Sequence, residues 1–259
     1  MRMMKKVLGT VTVLALSVSL LAGCGSTAAS PVSSAASTAA ESTTSSVVSE
    51  TTSAAADENV AAAAQLLNDL TGSYQELWPV ILADEYKQTW LDDCTALVGE
   101  DNAEAAFEKL SSMVTGDVYG EDAVKAYANG GGAYFCGFTN SLAILTFDGE
   151  TSTISGTDKD GNVLFSHTYH YIGMEPVHGL YEFESDDADS GEFTYFFLAP
   201  DTSAETYHIE FRYGSDAEAL SQYDAGEYAY WVASGISTDC DQTMIDNCIE
   251  LFCTENLAG

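Results

Sequence analysis

Positive charge is what this sequence has least of. Its 259 residues hold eight Lys+Arg against 40 Asp+Glu, for a formal net charge of −32. Three of the cations, Arg2, Lys5 and Lys6, sit at the N-terminus, so only Lys87, Lys109, Lys125, Lys159 and Arg212 serve the rest of the chain. Such an acidic surface repels phosphates and anionic headgroups, which excludes nucleic-acid binding, and it concentrates cations nearby. Solubility or adaptation to a salty medium accounts for that charge as well as a dedicated cation site does. A long apolar run is also missing: the largely apolar stretch at 7–22 falls short of the roughly 20 residues a membrane-spanning helix needs. Catalytic signatures are absent too. There is no G-x-S-x-G, no H-E-x-x-H, no glycine loop followed by lysine and no dinucleotide fingerprint, so nothing points to an enzyme.

What is present begins at the N-terminus. A basic head, a short apolar stretch and small residues before a cut make a bacterial export signal. The closing residues Leu21-Ala22-Gly23-Cys24 resemble the lipobox of bacterial lipoproteins. That resemblance implies a signal peptide over residues 1–23 and a diacylglyceryl group on Cys24, held on the extracytoplasmic face of the cell membrane. Two acyl chains anchor a protein stably where one does not. Residues 24–57 are almost wholly Ser, Thr, Ala and Val, which cannot bury enough apolar area to offset ordering entropy. They are expected to form a flexible tether reaching roughly 30 Å from the bilayer. The folded part is then expected over residues 58–259, as one domain.

Five cysteines follow Cys24: Cys94, Cys136, Cys240, Cys248 and Cys253. The odd number leaves at least one thiol outside any internal disulfide. The last three lack C-x-x-C spacing, which argues against a thiolate zinc site. Outside the cytoplasm, one or two structural disulfides are expected, with the connectivity open.

The domain opens with helical periodicity. Leu66, Leu67 and Leu70 end an alanine-rich helix, and Tyr74, Leu77, Trp78, Ile81 and Leu82 fall on one helical stripe. Tyr86, Trp90, Leu91 and Cys94 continue it, and Ala106, Phe107, Leu110, Met113 and Val114 repeat it after Asp101, a plausible cap. From about Gly130 the pattern shortens. Residues 134–138, 142–147, 163–171, 180–184, 193–198 and 207–213 read as strands, with Asp148-Gly149 and Asp160-Gly161 as hairpin turns. Such closely spaced strands imply an antiparallel meander, sandwich or barrel. Residues 217–223 read as a short helix. Met244, Ile245, Cys248, Ile249, Leu251 and Phe252 mark a terminal helix capped by Asp239 or Asp241. The fold class is α+β.

Candidate ligands are few. Asp158-x-Asp160-x-Asn162 lacks the downstream glutamate of a calcium loop and reads as a turn, and the acidic run 184–189 reads as a solvated loop. His167 and His170, three apart on one strand, point to opposite faces, and His178 stands at a strand entrance. His208 and Glu210, two apart on a strand, leave the same face. That is half of a zinc site, or an ordinary polar pair.

From Leu70 onward the order of features resembles the ZinT (YodA) family of zinc-binding, calycin-like proteins. The segments carrying the resemblance are residues 72–81 (Gly72, Tyr74, Leu77, Pro79), the strand pair 181–184 and 193–200, the strand His208-Ile209-Glu210-Phe211-Arg212-Tyr213-Gly214, and Gly235-Ile236-Ser237-Thr238 before the last helix. It implies an antiparallel calycin/lipocalin-like β-barrel with N-terminal and C-terminal helices, zinc as the ligand, and a metal ABC importer as a possible partner. In the family's H-x-H strand, His208 takes the first histidine and Glu210 replaces the second. A third histidine, counted back from Pro200, falls on Phe196, so the set implied here is His208, Glu210 and a further ligand such as His178, His170 or water. The alternative keeps the barrel without metal: Phe196 and the tyrosines would line an apolar cavity for a small organic ligand, or the surface would meet a partner.

Overall fold

The computed structural model describes residues 47–199 and 208–258, with side chains from Glu58 onward. The signal segment, Cys24 and the first part of the expected tether lie outside the described residues. Helix α1 spans Val47–Asp69, so it begins inside the stretch expected to be tether. Among the described residues, no helix is long and apolar enough to cross a membrane.

Eight strands follow: β1 Gly72–Glu76, β2 Ile144–Asp148, β3 Thr153–Thr157, β4 Val163–Met174, β5 Tyr181–Ser185, β6 Tyr195–Leu198, β7 His208–Gly214 and β8 Ala233–Ser237. Each pairs antiparallel with its neighbours in sequence, and β1 pairs with β8, which closes the barrel. Between β1 and β2 the chain forms α2 (Leu77–Ile81), α3 (Lys87–Val98), α4 (Glu100–Val114) and α5 (Glu121–Ala128). The short α6 (Ala217–Leu220) lies between β7 and β8, and α7 (Gln242–Leu257) ends the fold. This is the expected α+β antiparallel barrel with helices at both ends.

Two apolar clusters form. The first fills the barrel with one side-chain set from each strand, including Tyr74, Phe147, Phe165, Phe183, Phe196, Phe211 and Tyr213. Ala63, Leu66 and Leu67 of α1, with Leu70 just after it, belong to this cluster, so α1 closes one end of the barrel. The second lies outside, where α3 packs on α4 and α7, and it includes Trp90, Ile249 and Ile236 from the outer face of β8. The side chain of Asp241 accepts the Met244 N–H at 3.0 Å and caps α7. Asp216 does the same for Ala219 and caps α6 at 3.1 Å.

The differences from expectation have local causes. Tyr74 belongs to β1, with Leu145 and Ser237 as its cross-strand partners, and only Leu77–Ile81 of the expected stripe is helical. Residues 134–138 do not form a ladder strand; Phe135 makes single bridges to Thr115 and Trp231. β3 and β8 carry sequences TISGT and ASGIS, too small and polar to stand out. Where one or two disulfides were expected, all five cysteines among the described residues are unlinked in this structure.

Candidate functional site

Strand β7 sorts the candidate residues by face. Ile209, Phe211 and Tyr213 point into the barrel, and the ladder puts Tyr213 opposite Phe196 and Phe211 opposite Leu198. His208, Glu210 and Arg212 therefore leave by the outer face, with Arg212 opposite Phe197 and Glu210 opposite Ser234. His208 and Glu210 share a face, as their spacing predicts. Phe196 does not share it. Its ring is fully buried against Phe165, Tyr169, Phe211 and Tyr213. A ligand at position 196 would point away from His208 and Glu210, so the expected third-ligand position belongs to the core. The same burial removes Phe196 from the lining of a ligand cavity.

Arg212 organises the outer face. Its side chain is fully buried, and its two terminal nitrogens donate to the backbone carbonyls of Leu220, Tyr228 and Gln222. The guanidinium carbon lies 4.1 Å from the centre of the Tyr223 ring, a cation–π contact. Burial lowers the Arg212 pKa from its ordinary value, opposed by Tyr223, Tyr134 and Glu175.

The loop between β4 and β5 brings His178 to the same place. Glu175 is fully buried; its carboxylate accepts the backbone N–H groups of Val177 and His178 at 2.8 and 2.6 Å. The His178 ring lies 3.7 Å from the Tyr223 ring, and its Nδ1 is 3.4 Å from Glu175 Oε2. Burial pushes the Tyr223 hydroxyl up, and the carboxylates of Glu175 and Glu210 add to that against Arg212. Tyr223 is thus the shared neighbour of Arg212 and His178, within the field of Glu210. Among the described residues, three buried polar atoms here, His178 Nδ1, Arg212 Nε and the Tyr223 hydroxyl, have no hydrogen-bond partner, and such atoms are uncommon in folded proteins. Spacing in sequence could not have found Tyr223 or Glu175, because only the fold brings them to Arg212.

The other histidines are engaged with the acidic loop. His167, on the inner side of β4, has Nδ1 2.8 Å from Asp187 Oδ2. His170, on the outer side, has Nδ1 2.8 Å from Asp186 Oδ1 and Nε2 4.0 Å from Glu184 Oε2. The opposite faces expected for the pair are observed. Asp158 accepts the backbone N–H groups of Asp160 and Asn162, both at 2.9 Å, which makes this segment the expected turn. Among the described residues, no three or more His, Cys, Asp or Glu side chains converge as a metal-holding group.

No family model matches this chain, and no curated protein matches it. Among solved structures it is similar to the Zn(II)-bound ZinT-like domain of Streptococcus pneumoniae AdcA. The identity is 16%, covering 71% of this chain and 89% of that one, with a TM-score of 0.45. It is also similar to Zn(II)-bound AdcA from Streptococcus pneumoniae, at 14% identity and a TM-score of 0.43. That second match covers 72% of this chain and 35% of the other, so the chain spans about a third of AdcA. The fold itself rests on the closed strand ladder.

Proposed function

We propose that this chain is a lipid-anchored, extracytoplasmic protein that captures a divalent metal ion, zinc before others, and is not an enzyme. His208, Glu210 and His178 are the proposed ligands, on the outside of the barrel; they do not converge as a metal-holding group among the described residues, so the ion would have to draw them together. The observation that carries the metal reading is His178 Nδ1: a buried imidazole nitrogen with no hydrogen-bond partner among the described residues, beside the buried carboxylate of Glu175. An orphaned nitrogen in an acidic setting suits a cation that accepts imidazole and carboxylate ligands. The surplus of carboxylates raises the local cation concentration and favours capture. The address rests on Leu21-Ala22-Gly23-Cys24, and a role as accessory to a metal importer rests on resemblance alone.

Zinc titration of the purified protein against a competing chelator tests this, in 0.1 M and 1 M salt in separate runs. Screening removes attachment to diffuse surface charge and spares a chelate. His208→Ala, Glu210→Gln and His178→Ala should each weaken zinc by at least about tenfold, the lower bound for losing even an outer-shell partner. Uptake that disappears in 1 M salt, or that survives all three substitutions together, removes the proposed site.

A further inference from the structure

Cys94 and Cys253 stand 159 positions apart in sequence, and their sulfur atoms lie 3.9 Å from each other. Cys94 belongs to α3 and Cys253 to α7; both are fully buried in the cluster that joins these helices. A disulfide requires about 2.05 Å between sulfurs, so this pair has to close by about 2 Å. Among the described residues no other two cysteine sulfurs are in contact, although Cys136, Cys240 and Cys248 are also free.

We propose that Cys94 and Cys253 form a disulfide that staples α3 to α7 when the chain folds outside the cytoplasm. The compartment rests on the extracytoplasmic address given above. Both Sγ–H bonds break and one Sγ–Sγ bond forms. The two electrons and two protons pass to an acceptor disulfide of a thiol oxidant, which leaves as two thiols. Burial pushes both thiols up, away from the thiolate that performs the attack. The bond therefore forms before α7 docks, and once formed it is shielded from reductant. It closes a loop that contains seven of the eight strands, β2 to β8, and a longer loop constrains the unfolded chain more. Cys136, Cys240 and Cys248 remain thiols, which accounts for the odd number.

The test takes the full chain both from cells and after refolding in a glutathione redox buffer, with free thiols alkylated before digestion. The expected result is one cross-linked peptide joining Cys94 to Cys253, with Cys136, Cys240 and Cys248 alkylated. Wild type reduced in denaturant and refolded in reductant should melt about 5–10 °C below the oxidised wild type. The Cys94→Ala/Cys253→Ala double variant should show no response to reductant. Alkylation of both cysteines after oxidative refolding, or a dominant link between other residues, overturns the pairing. A link that forms on refolding but is missing from the protein taken from cells overturns the bond as a native feature, and locates the fault in the address, not in the geometry.

Discussion

The guanidinium of Arg212 lies 4.1 Å from the Tyr223 ring on the outside of β7, while the neighbouring positions Phe211 and Tyr213 fill the inside. One strand therefore carries a buried cation on one face and a buried aromatic core on the other. Arg212 also ties the segment after β7 to the barrel through the carbonyls of Leu220, Gln222 and Tyr228. The loop that bears His178 reaches the same spot through Tyr223.

Arg212→Leu should accordingly destabilise the fold by about 3–5 kcal/mol, because it strands buried carbonyls and leaves the buried Glu175 without its nearby cation. For a domain of this size that is a Tm loss of roughly 6–20 °C. Arg212→Lys should recover less than half of it, since a point charge cannot span three carbonyls as a planar fork does. Thermal and denaturant melts of the three proteins check this. A Lys variant as stable as wild type would show that charge alone matters there.

How much of this was legible depended on the size of the side chains. Strands β4 to β7 announced themselves because aromatic and β-branched residues alternate along them, as in Phe165, His167 and Tyr169 against Ser166 and Thr168. Strand β3 (Thr153–Thr157) and β8 (Ala233–Ser237) did not, since their pairing comes from neighbours more than from their own side chains. Tyr74 was drawn into a helical stripe because residues 74, 77, 78 and 81 happen to fit a period of 3.6, although the strand ends at Glu76. Residues 134–138 have strand-like composition but meet the sheet only at isolated bridges. At the site, the shared face of His208 and Glu210 followed from spacing alone. The cluster of Glu175, His178, Arg212 and Tyr223 draws on β4–β5, β7 and the segment after α6, and no local pattern encodes that meeting.

Asp93 gives a pH-dependent expectation. It lies on α3, with Oδ2 buried and lacking a hydrogen-bond partner among the described residues, and burial followed by Glu250, Asp246 and Asp92 raises its pKa above the ordinary 3.8. The folded state then binds this proton more tightly than the unfolded state does. The stability it contributes is full below about 3.8 and is lost as pH rises through the raised folded value. Asp93→Asn keeps the neutral form at every pH. It should melt about 1–3 °C above wild type at pH 7, with the gap closing as pH falls toward 4. Melts from pH 4 to 8 decide this, and an Asn variant that melts lower at pH 7 contradicts it.

Gly149, in the turn between β2 and β3, sits against α1: a Cβ there would lie 2.4 Å from the Asn68 Cα. The obstacle is helix backbone, which no rotamer change relieves. Gly149→Ala should push α1 off its end of the barrel at a cost of about 1–3 kcal/mol. Hydrogen exchange is the informative measurement. Amides of α1 should lose protection while those of β5 to β7 keep theirs, and uniform loss across the barrel would mean that α1 is not a separable closure.

The ladder between β6 and β7 makes opposite forecasts for two histidine substitutions. Phe196 faces inward opposite Tyr213, whereas Glu210 faces outward two positions from His208. Phe196→His places an imidazole among four aromatic rings, out of reach of His208, and should cost about 2–4 kcal/mol with no gain in zinc affinity. Glu210→His places a second imidazole on the outer face beside His208, where it completes an H-x-H pair, and should strengthen zinc binding by about tenfold or more. Chelator competition on both variants, with a melt to confirm folding, separates the two faces. If Phe196→His tightens zinc and Glu210→His does not, the ion is held inside the barrel, and the outer assignment of His208 and His178 has to be abandoned.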